Sequence, residues 1–130
     1  MSRKQAQKKP TDAELAIIGV IWDRGPSTVR EVFRHLSERQ KIGYTTVLKL
    51  MQIMTEKGLL DRDTSVRPQI FKPARPQRQT QQQLLRDLAD RAFSGSPGDL
   101  VLQALSSRKA TPDERRQIRE LLDRLEREES

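Results

Sequence analysis

Apolar residues in the first sixty positions recur at helical spacing and are broken by glycines. Leu15, Ile18, Gly19 and Trp22 share one stripe, widened by Ile17 and Ile21, which predicts an amphipathic helix. Thr11 and Glu14 stand ahead of it as a T-x-x-E capping box, in which each side chain satisfies a backbone donor at the helix start. Gly25-Pro26 stops it, since glycine permits the closing turn and proline cannot continue the helix. The second segment repeats the design. Thr28 and Glu31 form a box, Val29, Val32, Phe33 and Leu36 follow at the spacing of a buried face, and the helix should end within SERQKIG, before Gly43. The third is GYTTVLKLMQIMTEKGLL, residues 43–60. Val47, Leu50, Met51 and Met54 fall within about 100° on a helical wheel, while Thr45, Lys49, Gln52 and Glu56 lie opposite and Gly58 ends the run.

The period then changes. Leu59–Asp63 and Gln69–Ala74 are short, with a turn-like Thr-Ser-Val-Arg-Pro between them, and they predict a two-stranded hairpin carrying Arg62, Arg67 and Lys72. The loop has no Asn-Gly pair, so turn chemistry leaves the register open. Residues 75–83, RPQRQTQQQ, are a polar shift and mark a boundary, although glutamine is no helix breaker and the next helix can begin inside the run. Leu84, Leu85, Leu88, Ala89 and Ala92 give a helical stripe that ends at SGSPG; Leu100, Val101, Leu102 and Leu105 mark a short helix. Thr111-Pro112-Asp113-Glu114 is a third capping box, and Ile118, Leu121, Leu122 and Leu125 repeat the buried-face spacing. No repeat of fixed period is visible.

Helix, helix, helix, hairpin within about 65 residues is the layout of a winged helix-turn-helix, whose third helix enters the major groove of DNA while the hairpin wing leans on the backbone or minor groove. The expected fold is mainly α. A basic tail over residues 1–10, expected to be disordered, precedes a winged-helix DNA-binding domain over 11–76. A three-helix dimerisation domain occupies 77–130 and includes a small hydrophobic surface that needs covering. Three such helices can hardly close a core alone. Leu84, Leu85, Leu88, Leu100, Val101, Leu105, Ile118, Leu121, Leu122 and Leu125 are therefore expected to pack against a second copy in a two-fold homodimer. The alternative is that they fold back on their own winged domain.

Charge sharpens this picture. The 130 residues carry a net charge of +7, but unevenly: residues 1–78 hold 16 Lys and Arg against 8 Asp and Glu, and residues 79–130 hold 9 against 10. A basic half attracts polyanions, nucleic acid before anionic membrane. The absence of cysteine excludes disulfides and thiolate metal sites and agrees with a cytoplasmic location. No run of about 18 apolar residues exists, so no membrane insertion is expected, and MSRKQAQKKP lacks the apolar core of a secretory signal.

The polar side of the third helix is the candidate reading face. Thr45 and Thr46 can cap the helix and reach phosphate or a thymine methyl, Lys49 can donate to guanine or phosphate, and Gln52 can read adenine. Tyr44, just ahead of the helix, can place its hydroxyl on a phosphate. Arg30, in the first turn of the second helix, is a phosphate candidate, and Arg67 at the wing tip suits the narrow, negative minor groove. Met51 and Met54 are core fillers and Glu56 is solvated. His35 is the only histidine, with no partner for a triad or metal set near it in sequence, and no phosphate-cradling glycine motif occurs. No catalytic, metal or cofactor site is expected. A second reading is a winged-helix interaction module whose basic face binds an acidic protein.

The stretches PTDAELAIIGVIWDRGPSTVREV, GYTTVLKLMQIMTEKGLL, the wing ending IFKPA, DLVLQAL and TPDERRQIRELLDRLE resemble the BlaI/MecI penicillinase-repressor family, which includes copper-responsive CopY-type repressors. The resemblance runs from about Pro10 to Leu125. It implies repression by a homodimer on a palindromic double-stranded DNA operator, controlling antibiotic-resistance or cell-envelope stress genes, with Tyr44, Thr45, Thr46 and Lys49 in the DNA-reading role. It also implies a membrane metalloprotease sensor that triggers cleavage between an Asn and a Phe in the dimerisation domain. This chain contains no asparagine, and it lacks the cysteines of the copper branch.

Overall fold

The computed structural model describes residues 9–129. Its elements are α1 (Asp12–Arg24), α2 (Val29–Ser37), α3 (Tyr44–Glu56), β1 (Leu60–Asp63), β2 (Ile70–Pro73), α4 (Gln77–Ala92), α5 (Pro97–Ser107) and α6 (Pro112–Glu129). Three helices, a β-hairpin wing and three further helices make the mainly helical winged-helix fold that the hydrophobic pattern predicts. Residues 1–8 of the expected basic tail lie outside the described residues. Pro10 is already buried, so packing starts before Thr11.

Local signals set the helix ends. Thr11 Oγ1 accepts from Glu14 N at 3.2 Å and Glu14 Oε1 accepts from Thr11 N at 3.0 Å. The box at Thr28 and Glu31 closes the same way, at 3.1 and 2.8 Å. α3 ends differently. Gly58 takes φ of 80°. Leu59 N then reaches Met54 O at 2.8 Å and Gly58 N reaches Thr55 O at 3.1 Å, the paired bonds of a Schellman cap. A side chain at Gly58 would meet no atom but would carry the left-handed backbone penalty.

The core joins α1, α2, α3 and the hairpin through Ile17, Ile18, Ile21, Val32, Leu36, Val47, Met51, Met54, Leu59, Leu60 and Phe71. Each such side chain contributes roughly 1.5–3 kcal/mol when taken fully from water. The buried stripe of α1 is rotated from the expected one. Ile17, Ile18 and Ile21 are at most 1% exposed, whereas Leu15 and Trp22 are only partly buried. The reason is that α1 packs against α2, α3 and β2 together, which centres burial on the row 14, 17, 18, 21. Glu14 lies on that row, 2% exposed. Its carboxylate is met by Lys57 Nζ at 2.7 and 3.0 Å. A buried charge is tolerable only with such a partner. Lys57 is the C-cap of α3, so the pair joins an anion in the first turn of α1 to a cation at the end of α3, each favourable for its helix dipole.

The wing pairs antiparallel with Leu60 opposite Pro73 and Asp63 opposite Ile70, each strand edge within one residue of expectation. A third segment also joins it. Ser27, in the loop between α1 and α2, exchanges backbone hydrogen bonds with Phe71 at 3.0 and 2.8 Å and donates its hydroxyl to Gly25 O at 2.8 Å.

The chain divides into two compact units after Leu85, inside α4. In the first unit, the opening turns of α4 bury Thr80 and place Gln83 to accept from Arg75 Nη1 at 3.2 Å. In the second, Ser96 caps α5 by accepting from Asp99 N at 3.0 Å, and the box at Thr111 and Glu114 caps α6 at 2.8 and 3.1 Å. No residue of α5 or α6 is buried.

Candidate nucleic-acid interface

α3 is held by its apolar side, which fixes what it shows to solvent. Val47, Met51 and Met54 have no exposed surface. Turning that face inward leaves Thr45, Thr46, Lys49, Gln52 and Glu56 exposed. Among the described residues no acid pairs with Lys49 or Arg67, so both cations are available to an external anion.

The start of α3 departs from expectation. The N-cap is Gly43, which offers no side-chain hydrogen bond. Thr45 and Thr46 therefore do not cap the helix; they stand inside its first turn, and Tyr44 is the first helical residue rather than one ahead of it. The chain enters α3 at Gly43 because that residue holds an extended conformation, φ −89° and ψ 156°. The consequence is chemical. α1 and α2 spend their first-turn donors on capping boxes and carry acids there, whereas α3 has neither. Its free N–H groups and positive dipole end suit a phosphate.

Tyr44 is clamped. The Arg30 guanidinium lies 4.9 Å from its ring centroid, a cation–π contact. Phe33 meets the ring edge-on, with centroids 5.7 Å apart and planes at 80°. Arg30 from α2 and Tyr44 and Gln52 from α3 line one groove of about 400 Å³ between α2, α3 and the wing. Arg34 and Arg62 line it too. Neither stood in the sequence-based set, because the spacing that brings α2 and β1 onto one groove is tertiary. Arg67 stands in the exposed wing loop, followed in the chain by the groove-lining Pro68 and Gln69.

Two carboxylates order this surface. Glu31 is held below its ordinary value of 4.5 chiefly by the Thr28 N–H; burial opposes this as the next largest effect, and the Thr28 hydroxyl and Arg24 lower it further by smaller amounts. Asp63, at the wing, is held below 3.8 by the Ser65 hydroxyl and N–H, with a smaller effect of Lys72; these bonds are 2.5 and 2.9 Å. His35 is half-buried and meets Arg24 Nη1 through Nε2 at 2.6 Å, and Arg24 also approaches Glu31 Oε2 at 3.5 Å. His35 thus ties α2 to α1.

The residues expected to join two copies form no part of this surface. Leu84 is half-buried and Leu85 exposed, both in the first unit; in the second, Leu100 and Ile118 are half-buried while Leu88, Val101, Leu105, Leu121, Leu122 and Leu125 are exposed. Among the described residues no helix is long and apolar enough to cross a membrane.

The chain is 40% identical over 50 residues to the transcriptional regulator BlaI of Mycobacterium tuberculosis, in two strains, a match covering 38% of this chain and 36% of the relative. The matched part thus spans about a third of the length of the curated relatives. A solved structure of the monomeric form of BlaI from Bacillus licheniformis, in complex with the blaP half-operator, aligns at a TM-score of 0.49 and 24% identity, covering 54% of this chain and 85% of that one. A sequence model of the penicillinase repressor family matches residues 10–124. A match of that extent, spanning the three N-terminal helices, the wing and nearly all of the helices beyond it, shows that the chain belongs to the penicillinase repressor family.

Proposed function

We propose that this chain is a transcriptional repressor that binds double-stranded operator DNA as a homodimer. The observation that carries the reading is the uncapped, acid-free start of α3, with Thr45, Thr46, Lys49 and Gln52 exposed along the same helix. Family membership and the name of the mycobacterial relatives support it. In this reading α3 enters the major groove. Lys49 and Gln52 face base edges, Thr45 and Thr46 face phosphate or thymine methyls, and Tyr44 and Arg30 hold a backbone phosphate. Arg67 reaches the minor groove from the wing. The exposed leucines of the second unit meet a second copy, which sets two reading helices at the spacing of a palindrome. The repressor works in the cytoplasm. Release by a sensor protease, which the family resemblance implies, needs a bond other than Asn–Phe, because the chain has no asparagine.

The test is binding to DNA from upstream of the chain's own gene, followed by footprinting. Lys49→Ala should weaken a specific complex by about 1–3 kcal/mol while leaving the thermal unfolding midpoint unchanged. Wild-type affinity in that variant, or binding no tighter than to random DNA, overturns the reading and favours a basic face that meets an acidic protein.

A further inference from the structure

The groove between α2, α3 and the wing holds more positive charge than the contacts proposed above use. Arg30 and Arg34 stand one turn apart on α2, and both line it. Arg62 enters from the wing. It lies opposite Phe71 in the hairpin register, and residues two apart on a strand share a face. Arg62 is therefore on the face of the buried Leu60 and Phe71, turned toward the helices. Asp61 and Asp63 take the other face, where Lys72 stands opposite Asp61. The first wing strand thus sorts its charges, with the cation inward and the acids outward. Glu31 is the one carboxylate among the described residues that line the groove, and it is already engaged. Its Oε1 accepts from Thr28 N at 2.8 Å and its Oε2 lies 3.5 Å from Arg24 Nη2. Among the described residues no acid pairs with Arg34 or Arg62, and both are exposed. Like charges gathered around one groove repel one another, a cost that the fold does not need and that an outside anion offsets.

We infer that one strand of the duplex runs along this groove, its phosphates held by Arg34 and Arg62 and its sugars resting on Leu48 and Pro68; this rests on the DNA-binding reading proposed above. Continuity favours a strand over a small anion. Tyr44 and Leu48, which line the groove, are followed in the chain by Thr45 and Lys49, exposed on the face that meets DNA in that reading. A duplex seated on Thr45 and Lys49 brings a backbone to the adjoining row. An apolar floor under a cationic rim matches the order of polarity in a deoxyribose–phosphate chain. Arg34 and Arg62 then position the duplex without reading its sequence. Because they come from α2 and β1, they fix the helical body and the wing on the same strand.

Binding of the full-length protein to DNA from upstream of its own gene, and to random DNA, tests this between about 50 and about 200 mM salt. Each lost phosphate contact lowers the slope of log affinity against log salt by about 0.9. The deficit of Arg34→Ala or Arg62→Ala against the parent should therefore shrink by about 3.5-fold over that range. It should be equal on the two DNAs, and the double variant should lose about twice as much slope. Arg34→Lys and Arg62→Lys should restore the slope, which counts charge, and Lys72→Ala, on the outward face, should leave it unchanged. Parental slopes in both alanine variants, in a parent that binds its upstream DNA, overturn the inference and leave the DNA-binding reading standing. An equal loss in Lys72→Ala also overturns it, because the charge then acts diffusely. Saturable uptake of inorganic phosphate in calorimetry, abolished by Arg34→Ala while the slopes stay parental, assigns the arginines to a small anion and overturns it as well. A parent that binds no DNA removes both readings.

Discussion

Removing the amine of Lys57 should unfold the winged-helix unit more readily than any other single change to a partly exposed charged residue. Glu14 is 2% exposed and the Lys57 side chain 20%. In Lys57→Met the carboxylate loses contacts of 2.7 and 3.0 Å and keeps only the Thr11 N–H at 3.0 Å. Breaking a buried pair by removing one partner costs about 3–5 kcal/mol. Water can reach the partly exposed side of the gap, so the lower end, about 3 kcal/mol, is expected, a fall in midpoint of about 10–20 °C for a unit of this size. Glu14→Gln should cost less, about 1–2 kcal/mol, since the amine of Lys57 can turn to solvent and a glutamine still completes the capping box. Glu14→Gln with Lys57→Met should end within about 1 kcal/mol of the parent, because no charge is then left unpaired. Urea denaturation followed by circular dichroism measures all four proteins. A Lys57→Met variant within about 0.5 kcal/mol of the parent, or a double variant as unstable as the sum of the singles, would refute the reasoning.

Three further outcomes are expected. Gly58→Ala should destabilise by about 1–2 kcal/mol through its left-handed backbone and Gly58→Asn by less; equal stability in urea would deny that φ governs the site. Glu31 is depressed in the folded state, so its contribution is complete above 4.5 and is lost as pH falls through the lower folded value; Glu31→Gln should lose less stability than the parent between about pH 6 and pH 3, measured by urea midpoints. Affinity for DNA should fall steeply with salt, and Arg67→Ala should lower the slope of log affinity against log salt by about 1; an unchanged slope in a binding titration would remove Arg67 from the phosphate or groove contacts.

What could be read from the chain was what is local in it. The capping boxes at Thr11, Thr28 and Thr111 each depend on residues three apart, and all three close in the structure. Met51 and Met54 follow helical spacing and are fully buried. The departures come from contacts between elements. Glu14 reads as a capping residue and is also a buried ion, because its partner lies 43 residues away. α3 starts a residue earlier than its sequence suggests, because two threonines advertise a cap more strongly than glycine does, although glycine holds the position. Arg34 and Arg62 enter the groove only once α2 and β1 are set side by side. Ser96 as the cap of α5 was visible in principle, as a serine before Pro97 and three residues ahead of Asp99, but SGSPG reads first as a loop.

The bridge between Ser27 and Phe71 has a bearing on how operators could change over evolution. It staples the hairpin to the loop that launches α2, so the wing is tied by backbone to the helical unit at a second point besides its direct continuation from α3. If α3 reads DNA as proposed, new base preferences can arise by exchanging side chains along it, while the attachment of the wing, made by backbone alone, is left in place by surface substitution.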